Sequence, residues 1–134
     1  MQIIDLTTEQ VDYIEEQLAD YDRRHIAFKL DGSIQLGILE DGKLIAGLDS
    51  CMTAYHILYV STVFVDPAYR RKGYGKKLMQ ALEKQAKALG ADTIRLDTFD
   101  WQGKSFYETL GYQIVGSYEN KEDGYSEYFF LKRI

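Results

Sequence analysis

The chain has 134 residues, 46% hydrophobic and 28% charged, with a formal net charge of −5. That is the length and balance of one globular domain spanning 1–134 around a single core. The acidic total excludes a general nucleic-acid binder, which needs a broad basic surface. One cysteine excludes an intramolecular disulfide and a cysteine metal cluster, so no metal is expected.

The opening MQIIDLTTEQ lacks a charged segment followed by an apolar one, and no apolar run approaches the roughly 20 residues of a membrane span. A soluble, cytoplasmic protein without a membrane partner is the expectation.

In chain order, QIIDL (2–6) reads as a short first strand. Thr7 and Gln10 then form a capping-box pattern. Val11, Ile14, Leu18 and Tyr21 follow at helical spacing, which predicts a helix over about 8–24. Residues 34–54 hold two apolar runs joined by Glu40-Asp41-Gly42, and Asp-Gly between such runs signals a hairpin. Cys51, on the second run, is read as a buried small hydrophobe. HILYVSTVFV (56–65) is a third apolar run, a buried strand ended by Asp66-Pro67.

Leu78, Ala81, Leu82, Gln85, Ala86 and Leu89 recur every three or four positions after Tyr74, and Gly90 supplies a helical stop. TIRLDTF (93–99) is a strand and WQGKSFYETLG a short helix. YQIVGSYE and YSEYFFLKR form a final hairpin across Asn120 to Gly124. The order β-α-β-β-β-α-β-α-β-β defines an α/β domain with a mixed sheet. Residues 56–99 make one β-α-β unit, expected to cross over right-handed.

The stretch AYRRKGYGKK (68–77) is anomalous in an acidic chain. It crowds Arg70, Arg71, Lys72, Lys76 and Lys77 around two glycines at a helix N-terminus, where partial positive charge already resides. Unpaired amides there make a phosphate site, and the cations become favourable once a ligand brings two or more negative charges. A diphosphate is the natural ligand. The triphosphate loop G-x-x-x-x-G-K-[ST] is not present, and the dinucleotide fingerprint fails because Leu78 stands where its third glycine belongs.

Arg70-Arg71-Lys72-Gly73-Tyr74-Gly75, preceded by VFVDPAY, resembles the R/Q-x-x-G-x-G/A signature of the GNAT superfamily of acyl-CoA-dependent N-acyltransferases. SFYETLGYQIVG is similar to that family's F-Y-x-x-x-G-F/Y element, and the element order matches over essentially the whole chain. The resemblance implies a single-domain GNAT fold: a mixed, mostly antiparallel sheet flanked by helices around a central β-α-β phosphate-binding unit. It implies acetyl-CoA as cosubstrate, an amine acceptor as the other partner, and homodimers as one assembly in use.

By the same resemblance, the strand residues Val63, Phe64 and Val65 meet the cofactor, with the backbone of Val63 and Val65 bonding its pantetheine arm. The loop Arg70, Arg71, Lys72, Gly73, Tyr74, Gly75 and Lys76 holds its pyrophosphate, and strands 56–65 and 93–99 splay to admit the arm. Tyr107 is the implied catalytic residue, protonating the departing thiolate, with the Val65 N–H polarising the thioester carbonyl. Asp100 stands where relatives carry a cofactor-contacting asparagine. It either meets the arm or caps a helix beginning at Trp101, with Gln102 supplying the amide instead.

Acetyl transfer also needs a neutral amine, whose reference pKa near ~10.4 leaves it protonated at neutral pH. Strand 56–65 holds no carboxylate to act as base; Asp49 and Glu119, or a water, are candidates. Three readings therefore stand: an N-acetyltransferase acting on a primary amine of a small molecule or peptide by direct transfer in a ternary complex, a non-catalytic acyl-CoA-binding module, or a nucleotide-phosphate binder of another class.

Overall fold

A computed structural model describes residues 1–26 and 31–134. Helix α1 (Thr8–Arg23) is followed by β1 (Ser33–Glu40), β2 (Lys43–Met52) and β3 (Ile57–Val65). A single 3-10 turn at Pro67–Tyr69 leads to α2 (Tyr74–Leu89), then β4 (Thr93–Phe99), α3 (Lys104–Thr109), β5 (Gln113–Asn120) and β6 (Tyr125–Arg133). The strands form one six-stranded sheet in the order β1-β2-β3-β4-β6-β5, antiparallel except for β3 beside β4.

Local signals explain most boundaries. The Thr7 hydroxyl accepts from the Gln10 N–H and the Gln10 side chain accepts from the Thr7 N–H, so α1 starts on a complete capping box. Asp41 and Gly42 both have positive φ, 50° and 79°, the twist that a two-residue hairpin turn requires. Gly90, at φ 99°, ends α2 by presenting its N–H to the Ala86 and Lys87 carbonyls.

One face of the sheet carries α2 and α3. Leu78, Met79, Leu82 and Ala86 of α2 and Tyr107 of α3 join Ile34, Leu48, Leu58, Val60, Ile94, Leu96 and Phe130 in a single core. The largest almost completely enclosed apolar side chains are Ile45, Leu58, Met79, Leu82, Ile94 and Phe130. Each contributes roughly 1.5–3 kcal/mol of burial free energy.

Two expectations are corrected. Residues 2–6 are not a strand: both sheet edges, β1 and β5, run without them, and an apolar run has no ladder to join unless an edge accepts it. Cys51 is exposed, because it lies between inward-facing Ser50 and Met52 and the period-2 pleat turns it to the other face. No helix among the described residues is long and apolar enough to cross a membrane.

Candidate functional site

The site begins where two strands stop pairing. β3 and β4 share only Ile57 with Thr93, Leu58 with Ile94 and Tyr59 with Arg95. Beyond Tyr59 the two strands part, although β3 runs to Val65 and β4 to Phe99. The Asp66 N–H donates to the Ile45 carbonyl, which fixes the phase of the β2–β3 ladder. Counting back along the register, Phe64 exchanges bonds with Gly47, while Val63 and Val65 turn their N–H and C=O groups into the gap. Apart from the Val65 carbonyl, which accepts from Arg70 Nε, these are strand-edge groups with no strand partner in the middle of a sheet.

The amide cradle lies just past the end of β3. Arg71 and Gly73 both adopt positive φ, 62° and 84°, and Gly73 is the residue from which α2 springs. The Lys77 N–H donates to the Gly73 carbonyl as the first intrahelical bond. The amides of Tyr74, Gly75 and Lys76 therefore have no acceptor within the helix. A side chain at Gly73 would meet nothing within 4 Å, so that position looks onto open space. At Gly75 a Cβ would lie 3.1 Å from the Phe106 ring, so α3 packs closely against the start of α2 and a larger residue would make that ring shift.

The cations surround this cradle without being spent on carboxylates. Arg70 Nε donates to the Val65 carbonyl at 2.8 Å, and its guanidinium covers the exposed Phe64 ring. Lys72 sits 5.6 Å above the Tyr69 ring and Lys77 5.9 Å above that of Tyr74. Among the described residues, none of Arg70, Arg71, Lys72, Lys76 or Lys77 joins a salt bridge. The Tyr74 hydroxyl donates to Glu40 at 3.3 Å, which ties the helix start to the β1 turn. Desolvation and then the Glu40 charge raise its pKa.

Tyr107 is brought to the same side of the sheet. Its ring is buried between Phe106, Tyr112 and Phe130, and burial pushes its phenol up to about 12. Among the described residues its hydroxyl has no hydrogen-bond partner, yet no fully enclosed side-chain oxygen is left unsatisfied, so the hydroxyl tip reaches solvent. Burial thus keeps this phenol in its neutral, proton-bearing form.

At the end of β4 the arrangement differs from expectation. Helix α3 begins at Lys104 with Gly103 as its cap, so Asp100 caps no helix. Its carboxylate accepts from the Ser126 N–H at 3.1 Å while its own N–H donates to the Ser126 carbonyl, fastening β4 to β6. Gln102 folds its carbonyl back onto the Phe99 N–H at 2.9 Å and the Thr98 hydroxyl at 3.3 Å, leaving its NH₂ group uncommitted. Asp49 accepts from Gln35 at 2.8 Å on β2, and Glu119 lies on edge strand β5, separated from the fork by β6.

A carboxylate that sequence reasoning passed over stands nearer. The Tyr59 hydroxyl donates to Asp97 Oδ2 at 3.1 Å, bridging β3 and β4 where they part. Desolvation first, and Asp97 next, raise the Tyr59 pKa, and the Arg95 guanidinium lies over its ring. The signal was present in TIRLDTF: alternation puts Asp97 on the face opposite Ile94, Leu96 and Thr98. Phe99, Trp101, Tyr118 and Tyr125 form an aromatic cluster beyond it, with Phe99 and Trp101 stacked 4.6 Å apart.

A strand fork closed at one end, with an amide cradle at the head of the following helix, is the geometry of an acyl-CoA N-acyltransferase fold. Residues 1–112 match the model of the acetyltransferase (GNAT) family, and the chain belongs to that family. It is 40% identical over 58 residues to L-ornithine N5-acetyltransferase NATA1 of Arabidopsis thaliana, covering 42% of this chain and 25% of that protein. The chain thus spans a quarter of the length of that relative. A crystal structure of an acetyltransferase from Bacillus cereus superimposes with a TM-score of 0.92 at 28% identity, covering 100% of this chain and 98% of the other. The crystal structure of an aminoglycoside 6'-N-acetyltransferase complexed with coenzyme A shares the fold at 20% identity and a TM-score of 0.65, over 92% of this chain and 85% of that one.

Proposed function

We propose that the protein transfers an acetyl group from acetyl-CoA to a primary amine in a single ternary complex. The observation that carries this reading is the β3–β4 fork, in which the N–H groups of Val63 and Val65 and the Val63 carbonyl lack a strand partner and lead to the unpartnered amides at the start of α2. The residues fit the cosubstrate in kind. Edge N–H and C=O groups suit an amide-bearing arm, and amides with five nearby cations suit a diphosphate.

Acetyl-CoA supplies an activated thioester; the reaction forms an N–C bond and breaks the C–S bond, and of the two protons that the ammonium nitrogen gives up, one leaves to solvent through Asp97 and the other restores Tyr107 after it has protonated the sulfur. Arg71 through Lys76 hold the diphosphate through backbone N–H groups, with the side-chain cations offsetting its charge. Val63 and Val65 align the arm, and the Val65 N–H stabilises the negative charge that builds on the thioester oxygen. Tyr107, neutral at physiological pH, gives its proton to the leaving sulfur. Asp97, at the closed end of the fork, accepts the proton that the incoming ammonium must lose, and Tyr59 orients it. Asp100 acts as a tether of β4 to β6, and Gln102 is the residue left to offer an amide to the arm. A cytoplasmic location follows the same reading.

The test is release of free thiol from acetyl-CoA in the presence of a panel of primary amines, small diamines and amino-acid side chains included. Turnover with at least one amine supports the transferase. Cofactor-dependent thermal stabilisation without turnover on any member would instead favour a non-catalytic binding module.

A further inference from the structure

Two large apolar surfaces of this chain have no partner among the described residues. The first is α1. Val11, Ile14, Leu18 and Tyr21 form one stripe along it, every one exposed, and no residue of the helix is buried. Ile3, Ile4 and Leu6 ahead of it are exposed as well. A helix with such a stripe gains its stability from burying it, and a soluble chain seldom leaves so much apolar surface uncovered.

The second is the face of the sheet opposite α2 and α3. Cys51, Phe64, Val115 and Phe129 are exposed there, each pointing away from an inward-facing neighbour or lying on the open edge strand. Tyr59 and Leu131 are half-buried on the same side, and a groove lined by Gln113, Val115, Leu131 and Arg133 runs along its β5–β6 end. Among the described residues no helix covers this face.

Each surface is what the other lacks, yet they do not meet within one chain. The Bacillus cereus crystal structure superimposes over the full length, α1 included, and a score of 0.92 leaves no room for about a fifth of the chain to be placed differently. The projecting helix is therefore shared with a chain of largely different sequence. We propose that the protein is an arm-exchanged homodimer, in which α1 of each copy lays its Val11-Ile14-Leu18-Tyr21 stripe across the open sheet face of the other. Exchange of an identical element is a route to a closed two-fold dimer that leaves no apolar surface unmatched. The face it covers is also where the Tyr59–Asp97 bridge opens, so the partner's arm forms one wall of the approach to the fork.

Sedimentation velocity of the full chain at micromolar concentration tests this. The wild-type chain is expected as a dimer, Ile14→Asp/Leu18→Asp as a monomer, and Val115→Asp/Phe129→Asp also as a monomer. The helix substitutions fall where nothing is buried, so far-UV circular dichroism and cooperative melting should survive them; the face variant is checked in the same way, with Val115→Asp alone as the milder form. A monomeric wild type overturns the proposal, since α1 would then stay free or fold back on its own sheet. A helix variant that remains dimeric overturns it in favour of face-to-face contact. A folded face variant that remains dimeric overturns it in favour of α1 pairing with α1.

Discussion

The Tyr59 hydroxyl reaches Asp97 at 3.1 Å across two strands whose last shared pair is Tyr59 with Arg95. A tyrosine and a carboxylate so placed mark the closed end of the fork. If Asp97 takes the acceptor's proton, Asp97→Asn should lower kcat/KM by roughly 10²-fold or more. Coenzyme A affinity should hold, because the cradle is at the far end of β3. Steady-state thiol release beside calorimetric titration separates the two; equal loss of both would make Asp97 a structural strut.

Tyr107→Phe should lower kcat by a similar order while leaving coenzyme A affinity unchanged. Its hydroxyl has no protein partner among the described residues, so stability should change by about 1 kcal/mol or less. A large fall in melting temperature would assign the hydroxyl a packing role instead.

The pH behaviour follows from the same residue. Burial holds the Tyr107 phenol at about 12, above the ordinary value of 10.0. Below pH 10 the phenol is neutral in folded and unfolded chains alike, so its full stabilising share is present. As pH rises from 10 towards 12, the unfolded chain ionises first and the folded state loses stability. Thermal melts at pH 8 and above pH 10 should therefore differ more for wild type than for Tyr107→Phe. Tyr112, buried beside Glu83, shifts in the same direction and adds to the wild-type loss in both proteins.

Binding of coenzyme A should weaken as salt rises, since the cations of the cradle are exposed and form no salt bridge among the described residues. Screening shortens the electrostatic reach from roughly 8 Å at physiological ionic strength to about 3 Å at 1 M. Arg71→Gln should lower affinity and flatten that salt dependence. Titrations at several salt concentrations check both, and an unchanged slope would remove Arg71 from the site.

Much of this was legible in the sequence because it rests on local chemistry. The capping box at Thr7, the Asp41-Gly42 turn, the helical spacing from Leu78 to Leu89 and the glycine-flanked cations all act within a few residues of themselves. The fork was legible only through family resemblance: strand divergence depends on how β3 and β4 sit against β2 and β6. Asp97 was missed because a lone acid in an alternating strand signals an open face, and only the Tyr59 contact gives it a role. Residues 2–6 and Cys51 went the other way. Their composition fits burial, but which surface is available to bury them is a property of the assembly rather than of the run itself.

Gly73 offers the sharpest probe of the cradle. A side chain there meets open space, so Gly73→Glu costs about 1–2 kcal/mol of left-handed backbone strain and leaves the core intact. It places a carboxylate where the proposed site puts the diphosphate. The most direct measurement is a calorimetric titration of the folded wild-type chain and of Gly73→Glu with coenzyme A, with ATP run in parallel. The account predicts saturable one-to-one binding of coenzyme A by wild type, much weaker binding of ATP, and no binding by Gly73→Glu. Folded wild type that gives no heat with coenzyme A, or that prefers ATP, would contradict it.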